Sequence, residues 1–265
     1  MNQLEKYLNY TRSYIKHNDL RSIIDSSNFL LFNKGAKKTR IIDSYLGKIK
    51  VRQGTNDFQF ANYYYEWGVK SYVLEHYGKF DVFFDIGSGI GDYAILMANI
   101  GLQVFAFEPI KSNYDVMVEN IALNHLESKI TPFNFAIGKE KSKANFTVTA
   151  VNTGASHKQE LNLKDNNQRG NYTEEVSIRS LDELKDEFGI KPHTRVLIKM
   201  DMEGMETEGI EGGQEFLRSI DNLTIIAEAK HSGEDEIVKA LNNLAVFEMG
   251  EIDEFNIYAT KKENK

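Results

Sequence analysis

A glycine-rich turn between an apolar run and a helical pattern constrains the fold of this chain most strongly. The apolar run is Val82-Phe83-Phe84, and Tyr93–Ala98 has the apolar spacing of a helix. Strand, glycine turn and helix in this order are typical of the nucleotide corner of a doubly wound α/β domain. The turn itself reads Asp85-Ile86-Gly87-Ser88-Gly89-Ile90-Gly91-Asp92.

The acidic residues of the turn indicate which cofactor it fits. A dinucleotide-binding turn has the pattern G-x-G-x-x-G and places a pyrophosphate at the helix N-terminus. Here Asp92 stands where the last glycine would be, and Asp85 adds a second carboxylate at the strand end. Both carboxylates would repel a pyrophosphate. S-adenosylmethionine (SAM) has no phosphate and carries an ammonium and a sulfonium, so the turn favours SAM.

A further acidic residue follows the next predicted strand. Gln103–Phe107 has the pattern of that strand, and Glu108 stands at its end. In doubly wound folds, an acidic residue about 20 positions past the glycines hydrogen-bonds the ribose hydroxyls. Both ribose hydroxyls of SAM are free, so Glu108 fits this role. The ordered combination of turn and acid is more specific than either motif alone.

Composition and charge narrow the class of protein. With 265 residues, of which 41% are hydrophobic, the chain can form one sizeable α/β domain with an N-terminal extension. Cysteine is absent, which excludes disulfides and thiolate metal sites. The formal net charge of -7 argues against a protein that binds nucleic acid by its phosphates. No stretch has the length of a membrane span, and the first residues are too polar for a secretory signal, so we expect a cytoplasmic protein.

From residue 81 onward, predicted strands and helices alternate, as a parallel sheet requires. An additional strand at 144–149 and a polar stretch at 152–173 interrupt this order. The segments 245–249 and 255–260 are predicted to pair antiparallel and finish the sheet. The remaining strands are predicted at 81–86, 103–107, 130–136, 176–179, 195–200 and 223–228, and the helices at 91–99, 112–124, 181–188, 205–218 and 233–242.

We divide the chain into an N-terminal extension at 1–78 and a second domain at 79–265. Residues 1–32 are predicted to hold one or two helices, and residues 40–60 a small β unit. The polar stretch 152–173 is either a substrate-facing loop or a flexible surface insertion. The helical spacing predicts that the inward-facing residues of the extension are Leu4, Leu8, Ile15, Leu20, Ile23 and Ile24.

Polar residues at strand ends are the candidate catalytic groups, because ligands of such sheets bind beyond the carboxyl ends of the strands. After the fourth and fifth core strands these residues are Asp201, Glu228 and His231. A hydroxyl acceptor must lose its proton to a general base or near a metal ion. Asp201 and His231 are the candidates for this base, although a surface position for His231 is equally compatible with the sequence. Asp201 and Glu228 could instead hold a divalent metal, but two carboxylates are too few to predict one.

Four motifs together resemble the FkbM family of SAM-dependent methyltransferases. The resemblance extends from residue 50 to residue 260, and the last motif, close to I-K-x-D-x-E-G-x-E, is the most specific. The motifs are the turn described above, Phe107-Glu108-Pro109, Asn152-Thr153-Gly154-Ala155-Ser156 and Ile198-Lys199-Met200-Asp201-Met202-Glu203-Gly204-Met205-Glu206.

The resemblance implies a class I methyltransferase fold, α/β and Rossmann-like. Such a fold has a seven-stranded, mostly parallel sheet with helices on both faces and its last strand antiparallel. It also implies SAM as cofactor and O-methylation of a sugar, glycan or natural-product-like small molecule. Phe135 departs from the wider fold, where an acid often binds the adenine amine. By the resemblance, Asp85, Gly87 and Gly89 would hold the methionine part of SAM, Glu108 would bind ribose, and Ala136 would lie near adenine. Ser88, Pro109 and Asp201 complete the predicted cofactor-binding residues; Asp201 is expected near the reactive end because the fourth strand usually lies beside the first.

Three alternatives stay open on the sequence. A SAM-dependent methyltransferase acting on RNA or protein is disfavoured by the net acidity and by the absence of an Asn-Pro-Pro-Tyr-like motif after the fourth strand. A nicotinamide oxidoreductase is disfavoured by Asp85 and Asp92. An interaction-only protein is disfavoured by the intact turn and Asp201. We expect no nucleic acid partner, and the acceptor's identity, metal dependence and oligomeric state stay open.

Overall fold

The computed structural model describes residues 3–161 and 170–262. Among the described helices, none combines the length and the apolar character needed to cross a bilayer. The helices are α1 Gln3–Lys16, α2 Leu20–Phe32, α3 Asp57–Phe60, α4 Trp67–His76, α5 Asp92–Asn99, α6 Lys111–Leu123, α7 Leu181–Phe188, α8 Glu206–Glu211, α9 Gln214–Ser219 and α10 Glu234–Asn242. The strands are β1 Arg40–Ser44, β2 Gly47–Val51, β3 Val82–Ile86, β4 Gln103–Phe107, β5 Ile130–Phe133, β6 Ala136–Ile137, β7 Ser142–Val148, β8 His157–Lys158, β9 Tyr172–Arg179, β10 Arg195–Met200, β11 Asn222–Glu228, β12 Phe247–Glu251 and β13 Asn256–Lys261.

The central sheet has seven strands in the order β12-β13-β11-β10-β3-β4-β5. Strands β11, β10, β3, β4 and β5 are parallel, and β13 is antiparallel to both β11 and β12. This mixed sheet fits the predicted class I methyltransferase fold, and the predicted antiparallel pair at the end of the chain is confirmed. All five residues of β3 are buried, as expected for a central strand covered on both faces.

Alternate residues of the central strands enter two hydrophobic clusters on opposite faces of the sheet. Phe83 and Leu197 join the cluster that contains α5, α6 and the β1–β2 hairpin. Phe84 and Ile198 join the cluster formed with α7, α9 and α10. This period of two places every side chain of a buried strand in one core or the other. The division of the chain after residue 78 remains a prediction, because residues from both sides of it share the first cluster.

A second, four-stranded sheet with the order β6-β9-β7-β8 stands beside the central one. The predicted strand at 130–136 is therefore wrong in extent: β5 ends at Phe133, and Ala136 pairs with Ile178 of β9 instead. The predicted strand at 144–149 corresponds to β7, which pairs with β9 along its whole length. The polar stretch 152–173 contributes β8 and the start of β9, while 162–169 lie outside the described residues.

The two N-terminal helices are confirmed, but their predicted orientation is wrong. Leu8, Ile15, Leu20 and Ile24 are exposed, and Ile23 is half-buried; the side chain of Leu4 lies outside what the structure describes. The inward faces instead carry Tyr10, Ser13 and Tyr14 from α1 and Ser22 and Asp25 from α2. A polar network takes the place of an aliphatic core here, with Arg40 Nη1 donating to Asp25 at 2.8 Å.

The predicted helix at 205–218 is two helices, α8 and α9, separated by Gly212-Gly213. Two adjacent glycines have low helix propensity. The interruption is also held by α7, where Asp182 N–H donates to the Gly212 carbonyl at 3.0 Å. The Asp182 carboxylate in turn accepts N–H groups from Glu215 and Phe216 at the start of α9. One aspartate therefore ends the first helix and caps the second.

Gly87 allows the ends of β3 and β10 to approach each other, which sets the shape of the site. Its φ is +91°, and a Cβ there would stand 1.8 Å from the carbonyl oxygen of Asp201. We expect Gly87→Ala to destabilise the protein by about 3 kcal/mol or more, from backbone strain plus this clash. The measurement is the free energy of unfolding in urea.

Gly101→Ala is the matched control for that substitution. Gly101 has a φ of +108°, but a Cβ there would meet nothing within 4 Å. Gly101→Ala should lower the free energy of unfolding by only about 1–2 kcal/mol, because a left-handed backbone conformation is unfavourable even without a clash. Equal losses for the two variants would show that the approach of Gly87 to Asp201 does not constrain the fold.

Candidate functional site

A cavity of about 790 Å³ opens at the carboxyl ends of the central strands. It is bounded by the glycine turn after β3, the end of β4, the loops after β10 and β11, and residues 152–157. The structure brings together every residue that the sequence predicts for the site. These are Asp85, Gly87, Ser88, Gly89, Glu108, Pro109, Ala136, Asp201 and His231. Their individual roles remain predictions.

Asp85 is a buried carboxylate without a hydrogen-bond donor. Its side chain is at the end of β3, the residue is 1% exposed, and neither carboxylate oxygen has a partner among the described residues. Burial raises the pKa of the Asp85 carboxyl to about 7, while the neighbouring Lys199 acts in the opposite direction. A buried polar group left unpaired is costly. An ammonium group such as that of SAM would supply the missing donor, so this residue fits the cofactor.

Glu108 connects the end of β4 to the glycine turn. Its carboxylate accepts the N–H of Gly89 and the N–H of Ile110, each at 2.8 Å. Burial raises the pKa of Glu108 to about 8, against the opposing effect of these two hydrogen bonds. Each carboxylate oxygen has a second lone pair, which leaves Glu108 able to accept from ribose hydroxyls. The residue thereby fixes the turn and fits its predicted role.

The predicted adenine end of the cavity has an aromatic wall rather than an acid. Phe135 lines the cavity, and its ring centroid lies 5.9 Å from that of Phe107. The Asn134 amide donates to the carbonyl oxygens of Glu108 and Pro109, so it braces the loop. The flat surface of Phe135 fits an adenine ring by stacking. This arrangement agrees with the departure from the wider fold that the sequence shows at Phe135.

Lys199 is the cation at the centre of the site. It is buried, and its Nζ lies 2.8 Å from Asp201 Oδ2, 3.9 Å from Glu66 Oε2 and 4.7 Å from the ring centroid of Tyr93. Burial by itself would lower the pKa of Lys199, but Asp201, Glu66 and Asp85 together raise it above its ordinary value. The lysine is therefore charged and holds three carboxylates around it.

Asp92 is paired with a second buried lysine. Lys70, from α4, donates to Asp92 Oδ2 at 3.1 Å and to the Tyr65 carbonyl at 2.8 Å. Because this ion pair offsets the charge of Asp92, the repulsion of a pyrophosphate predicted from Asp92 is weaker than the sequence suggests. The argument from Asp85 is unaffected, since the oxygens of Asp85 have no hydrogen-bond partner among the described residues.

Three donors from the loops after β10 and β11 lie together on the other side of Asp201. Glu203, Glu228 and His231 each offer a ligand atom within 4.8 Å of the others, and His231 Nε2 is 3.1 Å from Glu203 Oε2. Burial, followed by the charges of Asp201 and Glu203, raises the pKa of Glu228 to about 9. These are the described residues best placed to hold a divalent metal. Asp201, the ligand considered from sequence, is engaged by Lys199 instead.

Glu206, the last glutamate of the I-K-x-D-x-E-G-x-E pattern, braces this loop. Its carboxylate accepts the N–H of Met202 at 2.7 Å and also bonds the hydroxyl of Ser232. Glu203 and Gly204 between them have positive φ values of 50° and 102°. Glu206 therefore ties the loop after β10 to the loop after β11, and this turn carries Glu203 toward His231.

The wall at 152–157 is anchored to the segment before the core. Thr153 N–H donates to Asn56 Oδ1 at 3.0 Å, and its hydroxyl donates to Asp57 at 3.0 Å. Asp57 is fully buried and forms a two-pronged ion pair with Arg52. The sequence left two interpretations of the polar stretch 152–173, a substrate-facing loop and a flexible surface insertion. Its first residues, 152–157, form an ordered part of the cavity wall, which agrees with the first interpretation.

Sequence reasoning missed several lining residues. Glu66 and Tyr65 lie outside the strand ends, and no local pattern marks them as site residues. Glu203 stands within the I-K-x-D-x-E-G-x-E motif, but the sequence does not show its pairing with His231. Such pairings across loops depend on tertiary structure.

Comparison with known proteins gives the family. The profile of the family described as Methyltransferase FkbM domain matches residues 85–256. The chain belongs to this family and is a SAM-dependent methyltransferase. It is 26% identical, over 203 residues, to the hexuronic acid methyltransferase AglP of Haloferax volcanii, covering 76% of this chain and 78% of that protein.

Solved structures are similar at lower identity. A methyltransferase FkbM from Methylobacillus flagellatus is 14% identical with a TM-score of 0.46, covering 69% of this chain and 44% of that one, so this chain spans less than half of its length. A SAM-dependent O-methyltransferase from Thermotoga maritima is also 14% identical, with a TM-score of 0.42 and coverage of 89% and 82%.

We predict that the affinity for S-adenosylhomocysteine rises with pH. Below its pKa of about 7 the Asp85 carboxyl is protonated and cannot pair with the ligand's ammonium. Affinity should therefore increase about tenfold between pH 6 and pH 8, as the ionised fraction grows. Calorimetric titration across this range measures it.

Asp85→Asn and Glu108→Gln separate the two titrating carboxyls. Asp85→Asn should bind weakly at every pH and lose most of the pH dependence. Glu108→Gln should weaken binding but keep the rise near pH 7. A pH dependence unchanged in Asp85→Asn would contradict the assignment of the ammonium to Asp85.

Proposed function

We propose that this methyltransferase transfers the methyl group of SAM to a hydroxyl oxygen of a sugar, and that acidic sugars are its preferred acceptors. The observation that carries the proposal is the Glu203–His231 pair beside Asp201, in the same cavity as the unpaired Asp85. The similarity to a hexuronic acid methyltransferase supports the acceptor class.

The order of the sheet supports a division of the cavity into two ends. Strands β4, β3, β10 and β11 are consecutive neighbours. When bound, SAM supplies a methyl group already activated on a sulfonium. Asp85, Gly87 and Glu108 would hold it over β3 and β4, with Asp201 at the boundary. The acceptor would then lie over β10 and β11, where Glu203, Glu228 and His231 line the cavity.

The Glu203–His231 pair supports proton removal from a hydroxyl. When Nε2 carries the ring proton and donates it to Glu203, Nδ1 is left as a proton acceptor. The carboxylate then stabilises the imidazolium that forms, which is how carboxylate–imidazole pairs act in other enzymes. Asp201, held by Lys199, would orient the acceptor and can share its proton. Placing the acceptor's hydroxyl oxygen in line with the methyl group supplies the rest of the rate enhancement.

The charge of the cavity supports a small acceptor over a nucleic acid. Seven carboxyl groups line it, against two lysines, Lys199 and Lys230, and the described lining residues include no arginine. Because the pKa values of Asp85, Glu108 and Glu228 are raised to about 7, 8 and 9, these three are only partly ionised at neutral pH. A polyanion would nevertheless find few cations at this surface. Lys230 is exposed at the cavity and forms no ion pair within 4 Å among the described residues. It is therefore available to a single carboxylate such as that of a uronic sugar.

The base assignment predicts a selective loss of turnover. We expect His231→Gln and Asp201→Asn each to lower kcat by about 10²-fold or more, because proton transfer or acceptor alignment is lost. Binding of S-adenosylhomocysteine should stay within about threefold, since Asp201 lies only at the boundary of the cofactor end and His231 lies beyond it. Steady-state kinetics with a uronic acid glycoside, alongside calorimetry, measures both quantities. Full kcat in His231→Gln would remove that residue from the base role.

Lys230→Met tests the acceptor class separately. It should raise KM for a uronic acid glycoside about tenfold, leave kcat nearly unchanged, and have little effect on the matching neutral glycoside. Its cofactor affinity serves as the control. If the wild-type enzyme methylates neither glycoside but does methylate a protein or RNA, the sugar proposal is wrong.

A further inference from the structure

The outer faces of α1 and α2 carry an aliphatic stripe. Exposure of its residues runs from 48% for Leu8 to 73% for Leu31. Leu8 and Ile15 are seven residues apart on α1, and Leu20, Ile24 and Leu31 are spaced by four and seven on α2, so each set lies on one side of its helix. We call these five residues the outer stripe: Leu8, Ile15, Leu20, Ile24 and Leu31.

The outer stripe faces away from the protein's own core. On α2 the residues directly opposite are Ser22 and Asp25, which are fully or almost fully buried, and Phe29, which packs on Phe58. On α1 the opposite side holds Tyr14, whose hydroxyl donates to the Phe58 carbonyl at 3.2 Å. The helices are thus fixed with their most apolar side outward. Several exposed aliphatic residues on one side of a helix mark an interaction site.

The segment that carries the stripe is basic, and Arg12 is four residues after Leu8 and three before Ile15, on the same side of α1. Residues 1–40 contain eight Lys and Arg against three Asp and Glu, so their formal net charge is +5. The whole chain has a formal net charge of -7, and the remaining residues therefore carry -12. Two of the three acids, Asp19 and Asp25, are buried beside Arg40. The charges left at the surface are mainly cationic. The exposed ones are Arg12, Lys16, Arg21, Lys34, Lys37 and Lys38.

We propose that the outer stripe and its basic border form a docking surface for an anionic membrane. An amphipathic helix with aliphatic residues flanked by Lys and Arg lies in the lipid headgroup region, where apolar burial and attraction to anionic lipids add together. A second copy of this chain is a poorer occupant. Two such faces brought together by a two-fold axis would place cationic borders against each other.

The inner side of α1 is connected to the cavity through residues 58–65. Asn62 Nδ2 donates to the Tyr10 carbonyl at 3.1 Å, and Tyr14 bonds Phe58, so α1 rests on the segment that follows. Within that segment Phe60 and Tyr65 line the cavity. The segment that supports α1 thus also contributes to the cavity wall.

Vesicle co-flotation of the full chain tests the proposal. The probes are phosphatidylcholine vesicles with and without phosphatidylserine, at low and high sodium chloride. We expect the protein to bind the phosphatidylserine vesicles at least about tenfold more strongly than the neutral ones. Sodium chloride should weaken this binding, because salt screens the attraction between the lysines and the anionic headgroups. Ile24→Ser with Leu31→Ser should reduce the bound fraction about tenfold, as should Lys37→Glu with Lys38→Glu.

Val246→Ser is the matched control, because Val246 is 65% exposed but lies outside the two helices. It should bind vesicles like the wild type, and S-adenosylhomocysteine affinity should be the same in all variants, confirming that they fold. Absence of vesicle binding, or binding that the stripe and lysine variants leave intact, would overturn the proposal. A dimer in light scattering that the stripe variant dissociates, without vesicle binding, would assign the surface to a second copy.

Discussion

The pairing of β3 with β10 around Lys199 is the interaction on which the site depends. In this register Lys199 lies beside Asp85, and its ammonium contacts Asp201 and approaches Glu66. Without a buried cation, three desolvated carboxylates so close together would take up protons or move apart. Lys199 keeps the cluster ionisable, while the oxygens of Asp85 have no hydrogen-bond partner among the described residues. The cluster is thus structurally stable and leaves Asp85 available to a cationic cofactor.

The central sheet presents the acidic side chains of the site, and other parts of the chain form the rest of the cavity wall. Strand ends present Asp85, Glu108 and Asp201, as the topology of a doubly wound sheet requires. The remaining wall comes from the insertion after β5, where Thr153 is hydrogen-bonded to Asn56 and Asp57. Two segments distant in sequence therefore close the cavity together. A change in either one would alter this wall of the cavity, which also contacts Asn113 beside Glu108.

The sequence predicts those features that depend on local pattern. The glycine turn, the central strands and the residues at their ends follow from spacing of two or 3.6 residues, and all nine predicted site residues line one cavity. Pairings between distant segments carry no local signal. The Lys70–Asp92 pair, the approach of Glu66 to Lys199 and the Glu203–His231 contact became visible only in three dimensions. The second sheet was missed for the same reason, since Ala136 continues β5 in sequence but pairs with β9.

The orientation of the N-terminal helices shows why an apolar pattern can mislead. Periodicity assumes that aliphatic residues face the core, but Arg40 offers a competing set of inward contacts. Its guanidinium bonds Asp25 and the Ser22 hydroxyl, both on one side of α2. Turning α2 to bury Leu20 and Ile24 would break these contacts and separate the buried Asp25 from the half-buried Arg40, at a cost of several kcal/mol, on the order of what aliphatic burial would contribute. The polar network therefore decides the orientation, and the aliphatic side is left for an environment outside the chain.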